Sequence, residues 1–250
     1  MRAVLSFLTR LPLGHGDIRK AAEDQHLFPL AGALIGCVAS LVGYTAMLCL
    51  PIEIAVVFTI LSIYALVGLL HLDGLADFSD GVMTSGDRNR KIAAMKDPHT
   101  GIAGVFAVVF ILILTFFCMR ELAVANADRT LLGHDVPMDW PFSFIILSEI
   151  SAKISMNTCI FLGKETHEGM GSLFIRHSSP AKYATAFSLA LIISLLVAVL
   201  YFWVVLVGVL TGIVIVSIAN RNFGGISGDA LGAANEIARV ATLLVLVVII

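Results

Sequence analysis

Long uncharged runs dominate the chain and are separated by short polar stretches. Read as membrane crossings, they fall near Phe28–Leu50, Ile54–Leu70, Ile102–Met119, Pro141–Leu162, Tyr183–Leu200, Val204–Asn220 and Ala230–Ile250. The stretch from Tyr183 to Asn220 carries no charge, and as one helix at ~1.5 Å per residue it would overshoot a ~30 Å hydrocarbon core. Two spans joined at an aromatic turn (Tyr201, Phe202, Trp203) fit it better. Before the first span, Val4, Phe7, Leu8 and Leu11 share one side of a short helix with Arg2, Ser6, Thr9 and Arg10 opposite. That pattern predicts an interfacial helix over residues 1–13, ended by Pro12, with a frayed terminus as the alternative. Gly32, Gly36, Ser40 and Gly43 recur at helical spacing in the first span, and Gly208 and Gly212 in the sixth, marking faces where helices can approach closely.

Composition supports this pattern. Of 250 residues, 58% are hydrophobic and 14% charged, with mean hydropathy +0.96. A soluble domain carries about 25% charged residues. Seven helices of ~20 residues leave no room for a separate soluble domain, so the expectation is a single all-α polytopic bundle. The net charge of −2 gives no reason to expect a nucleic-acid partner. Cys37, Cys49, Cys118 and Cys159 lie in apolar runs without metal-ligand spacing. With the N-terminus inside, Lys and Arg divide 12 to 2 in favour of the cytoplasmic segments, and Lys153 and Arg239 fall within spans. The expected location is the cell membrane, with the polar segments facing the cytoplasm.

Those polar residues cluster. In the stretch His71–Gly101, read as a cytoplasmic acidic and basic loop, Asp73, Asp77 and Asp80 share one helical face at i, i+4 and i+7. Carboxylates that close repel, and a hard divalent cation such as Mg²⁺, which also takes phosphate oxygens, would relieve them. A solvated acidic face is the plainer alternative. Arg88, Arg90, Lys91 and Lys96 follow, interleaved with Asp87 and Asp97. Acids to hold a metal and bases to hold oxyanions suit phosphoryl transfer, although cytoplasmic loops are often basic for topology alone. A second constellation spans residues 221–238. Gly224, Gly225 and Gly228 permit a turn there, and Asp229, Gly232 and Glu236 line one helical face beside Asn235. Asp229 could equally be a helix cap. In the fourth span, Glu149 and Lys153 sit at i and i+4 ahead of Asn157, either pairing with each other or lining a substrate cavity. The glycines of His167–Ser172 suggest a shaped turn near the site, while His15, His134 and His177 read as surface residues.

Asp73–Gly81 (DGLADFSDG), Gly86–Gly104 (GDRNRKIAAMKDPHTGIAG) and Gly225–Ala238 (GISGDALGAANEIA) resemble the signature of the cobalamin 5′-phosphate synthase family, also called adenosylcobinamide-GDP ribazoletransferase. Phe7–Pro12 (FLTRLP) and Phe28–Gly36 (FPLAGALIG) resemble it as well, so the match runs from Ser6 to Ala238. The resemblance implies transfer of the adenosylcobinamide-phosphate moiety of adenosylcobinamide-GDP to α-ribazole or α-ribazole 5′-phosphate, releasing GMP, with Mg²⁺ as cofactor. It further implies Asp73, Asp77 and Asp80 as metal-binding or catalytic carboxylates; of these, Asp80 lies farthest from the span, and position alone makes it the freest candidate for taking the hydroxyl proton. Asp229 and Glu236 are implied as catalytic, and Arg88, Lys96, Asp97, His99, Asn235 and Lys153 as substrate-binding. Expected partners are these two substrates, the lipid bilayer and a second copy of the chain in a homo-oligomer. Two departures stand out: Lys153 lies where many members carry arginine, and Arg239 lies where an acidic residue is usual. A CDP-alcohol phosphotransferase is the nearest rival, but Asp77 occupies the arginine position of that family's motif. An ion-coupled transporter, with Glu149 and Lys153 lining its path, would place its polar residues at mid-bilayer.

Overall fold

The computed structural model describes residues 1–14, 16–131, 143–166 and 169–250, with the backbone alone at 126–131. His15, His134, the His167–Glu168 pair and the expected start of the fourth span at Pro141 lie outside the described residues. Every regular element among the described residues is helical. In chain order these are α1 (Arg2–Leu8), α2 (Ile18–Glu23), α3 (Phe28–Met47), α4 (Ile52–Val67), α5 (Leu70–Met83), α6 (Arg88–Met95), α7 (Ile102–Leu131), α8 (Ser143–Leu162), α9 (Met170–Arg176), α10 (Pro180–Val197), α11 (Leu206–Asn222) and α12 (Gly228–Ile249). Six helices or helical segments are long and apolar enough to cross a bilayer, and α4 with α5 makes a seventh candidate bent by 91°. The spans read from uncharged runs are therefore present. The charge-free stretch divides at a short 3-10 turn, Phe202–Val205, between α10 and α11.

The bundle is built around α8, whose residues from Ser143 to Ile160 are all buried. Small residues let its neighbours approach. A Cβ added at Gly32 or Gly36 of α3 would lie 2.6 Å from the α8 backbone, at Glu149 O and Ile146 Cα. On another side, Gly212 of α11 faces Ser155 O, and Gly208 faces Ser151 O. With lipid no more attractive than a neighbouring helix, this close packing is what holds such a bundle together. It also surrounds the α8 charges with protein.

Two expectations change. The N-terminal helix stops at Leu8 rather than at Pro12, and its apolar side does not lie free on a membrane. Val4 and Leu8 are buried in the protein, and the Phe7 ring packs against Phe28 and Phe174. The stretch after α4 is also not a loop. At Gly68, where φ is +78°, the chain turns and re-enters a helix, α5, that carries all three aspartates. A left-handed φ is open to glycine at little cost, so the elbow forms there. The glycines within α5, which resemble loop formers in the sequence, are packing positions.

Candidate active site

Two motifs far apart in sequence meet where α5 crosses the start of α12. Gly74 and Gly232 form the crossing point: a Cβ on Gly74 would lie 3.0 Å from Asp229 Cα, and one on Gly232 would lie 3.0 Å from His71 O. Ser227, not Asp229, caps α12, with its hydroxyl accepting from Ala230 N at 3.2 Å. Asp229 is thereby freed from the capping role considered for it and stands in the first turn beside the α5 carboxylates. Asp73 is exposed and Asp77 half-buried. Burial, and then the charges of Asp73, Asp229 and Asp80, push the Asp77 carboxyl up to about 6. Burial is the larger cause of that shift, and repulsion from the neighbouring carboxylates adds to it.

Asp80 differs. Its two oxygens accept from Gly101 N at 2.7 Å and Gly104 N at 2.9 Å, so it caps the start of α7. The expectation that Asp80 is the freest group for taking a proton fails on this geometry. Among the described residues, no three Asp, Glu, His or Cys side chains converge as a metal cage. The donor set therefore does not suit an ion held by protein alone. Mg²⁺ is commonly held by one or two carboxylates together with substrate phosphate oxygens, and the neighbouring Asp73, Asp77 and Asp229 are the carboxylates from which such a pair could be drawn.

The basic residues gather at the same end. Helix α6, capped by Asp87 through Arg90 N, lies over the turn between α11 and α12. Lys91 Nζ donates to Asn222 Oδ1 at 2.6 Å, and the Arg88 guanidinium lies against Gly224, where a Cβ would come within 2.7 Å of Nη1. Lys96 and Asp229 line one cavity of about 260 Å³, whose other walls come from α6, Thr166, residues 169–172 and the 223–229 turn. That turn is fixed to the preceding loop by Ile226 N donating to Lys164 O at 2.9 Å. The glycines of 169–172 are thus at the site, as their pattern suggests. Asp97 and His99 are not in the cavity lining. Asp97 accepts from His99 N at 2.8 Å and contacts the His99 ring at 3.0 Å, bonds that hold its carboxyl below the usual range. Both are exposed.

Lys153, Asn235 and Glu236 belong to a different place. They are buried inside the bundle with Glu149 and Arg239. Arg239 Nε donates to Glu149 Oε1 and Arg239 Nη1 to Glu236 Oε2, each at 2.6 Å. Lys153 Nζ donates to Asn235 Oδ1 at 2.6 Å and lies 3.6 Å from Glu149 Oε2. Asn235 Nδ2 donates to Glu236 Oε1 at 3.0 Å, and Tyr64 Oη of α4 donates to Glu236 Oε2 at 2.8 Å. Two acids and two bases cancel, which lowers the cost of burying each. The choice between ion pair and open cavity at Glu149 and Lys153 resolves as an ion pair, with both side chains fully buried. Sequence reading did not join Tyr64 and Arg239 to this cluster. The available signal was the i, i+3 pair Glu236–Arg239 in one apolar helix and the i, i+4 pair Glu149–Lys153 in another.

Comparison with known proteins agrees with the motifs. A family model described as cobalamin-5-phosphate synthase matches residues 1–247. A Pyrococcus abyssi protein named adenosylcobinamide-GDP ribazoletransferase is 40% identical, over 98% of this chain and 97% of its own. Proteins of the same name from Thermococcus onnurineus and Methanocella arvoryzae are 38% and 35% identical, over 98% and 97% of this chain and 96% and 93% of their own. No solved structure matches. Matched by that family model over residues 1–247 and aligned with these relatives over nearly all of its length, this chain belongs to the cobalamin-5-phosphate synthase family.

Proposed function

We propose that the protein assembles the nucleotide loop of cobalamin, transferring adenosylcobinamide phosphate from adenosylcobinamide-GDP to α-ribazole or α-ribazole 5′-phosphate. The observation that carries this reading is the crossing of α5 and α12, which brings Asp229 next to the α5 carboxylates Asp73 and Asp77 on one side and into a cavity shared with Lys96 on the other. A ribose hydroxyl of the acceptor attacks the phosphorus that bears the corrinoid side chain. The bond to the bridging oxygen breaks, GMP leaves with that oxygen, and the hydroxyl proton passes to a carboxylate. Asp77 or Asp229 fills that role, since Asp80 is committed to two backbone amides. Lys96 and Arg88 offset charge on the departing phosphate, the usual way proteins promote such displacements. Mg²⁺, held by one or two of Asp73, Asp77 and Asp229 together with substrate, would supply further charge neutralisation. The positive-inside bias supports a cytoplasmic site at the cell membrane.

The test is GMP release by the purified protein in liposomes with Mg²⁺, adenosylcobinamide-GDP and either acceptor. The expected result is one GMP per corrinoid product, with loss of turnover in Asp73→Ala plus Asp77→Ala. Retained turnover in that variant would remove both residues from the mechanism. CDP-diacylglycerol with an alcohol acceptor should give no product.

A further inference from the structure

The 260 Å³ cavity behind Asp229 has a lining that selects one part of one substrate. Met95, Phe223 and Ile226 are buried and apolar, and Ile92 and Met170 add to the same wall. Its charged residues are Lys96 and Asp229, and Asp229 also faces the α5 carboxylates. The Ser227 hydroxyl is already committed to capping α12. Whole drug-sized ligands take about 300–1,000 Å³, so this space suits a single aromatic base rather than a corrinoid.

Guanine is a poor match. Its edge presents a carbonyl, a ring N–H and an amino group. Thr166, Ser172, Lys96 and Asp229 are the polar side chains of the lining besides Ser227. The wall of Ile92, Met95, Met170, Phe223 and Ile226 leaves any of these edge groups turned towards it unpaired, which costs affinity. A benzimidazole carrying two methyl groups presents an apolar edge, and methionine sulfur packs well against aromatic rings.

We infer that this cavity is the acceptor subsite, holding the dimethylbenzimidazole base of α-ribazole and leaving its ribose at Asp229 and Lys96. The inference rests on the phosphoryl-transfer reading above and adds which substrate lies on which side of the carboxylates. The acceptor enters from the α6 and 223–229 side, and guanine binds elsewhere.

Gly228 offers a test. A Cβ there meets only Met170 Cβ, at 3.8 Å, so a larger side chain can grow into the cavity without striking backbone. Steady-state kinetics of full-length Gly228→Leu in liposomes should show the KM for α-ribazole raised about tenfold or more. The KM for adenosylcobinamide-GDP should stay within about twofold of wild type, the mark of a change in binding one substrate alone. A rise in the donor KM instead, or no change in either, overturns the assignment. Equilibrium dialysis of the wild-type protein provides a second arm. Benzimidazole riboside without the methyl groups should bind about tenfold or more weakly than α-ribazole, and equal binding overturns the proposal. If wild-type protein binds α-ribazole with this preference but releases no GMP, the reaction reading fails while the subsite stands.

Discussion

Asp77 and Asp80 lie one turn apart on α5, yet their surroundings give them different work. Asp80 spends both oxygens on the first amides of α7, whereas Asp77 faces other carboxylates across the crossing. Asp80→Asn should therefore lower stability by about 1 kcal/mol, the usual cost of a weakened cap, and leave measurable GMP release. Asp77→Asn should remove most of the release in the same assay. The raised carboxyl of Asp77 also sets a pH dependence. Its folded value, about 6, exceeds the ~3.9 of an unfolded aspartate, so the stabilisation it gives is complete below ~3.9 and lost as pH rises through about 6. Thermal unfolding of protein freed of divalent cations should show a falling midpoint over that window. Asp77→Asn should flatten it, and added Mg²⁺ at neutral pH should restore the midpoint. The acidic triad was legible from its i, i+4, i+7 spacing. The role of Asp80 was not, because its partners lie 21 and 24 residues away on the far side of α6.

Helix α5 depends on α12 for its position. Gly74 and Gly232 bring the two backbones together, and any side chain at either point must push them apart. Gly74→Ala should cost about 1–3 kcal/mol, the range for overpacking a tight contact. It should reduce GMP release more than any loss of membrane insertion would explain, since it shifts Asp229 away from Asp77. Insertion measured by protease protection, alongside GMP release, separates the two effects. The membrane helices were legible because apolar runs and their charged borders directly reflect the solvent each residue must face. Helix α5 was harder to read. Its glycines have the composition of a loop, and only the presence of a partner helix at Gly74 shows that they serve packing. Helix α1 was misplaced for a related reason: an amphipathic face shows that something apolar covers it, not whether that is lipid or Phe28 and Phe174.

Across the whole molecule, the bundle separates two polar regions that the sequence leaves mixed. One opens at the end where α5, α6 and the 223–229 turn meet. The other, Glu149, Lys153, Glu236 and Arg239 with Tyr64 and Asn235, is sealed among α4, α8 and α12. Arg239→Met leaves two buried carboxylates facing one lysine and should cost about 3–5 kcal/mol, as breaking one side of a buried pair does. Adding Glu236→Gln, which restores neutrality, should recover part of that loss in thermal unfolding. Asn235 and Glu236 share a motif with Asp229, which is why sequence alone placed them in one site. Asp229 and Glu236 share a face of α12 but lie two turns apart along it, about 10 Å at ~1.5 Å per residue, so the first meets the carboxylates of α5 and the second meets Tyr64 of α4.

The claim on which the rest depends is that Asp77 and Asp229, from distant parts of the chain, act as one unit. A double-mutant cycle on GMP release, with Asp77→Asn, Asp229→Asn and both together, measures that directly. Residues that act together are strongly non-additive, so each single change should remove most of the rate and the pair should be no slower than the slower single variant. Losses that multiply, or full activity in either single variant, would contradict a shared site.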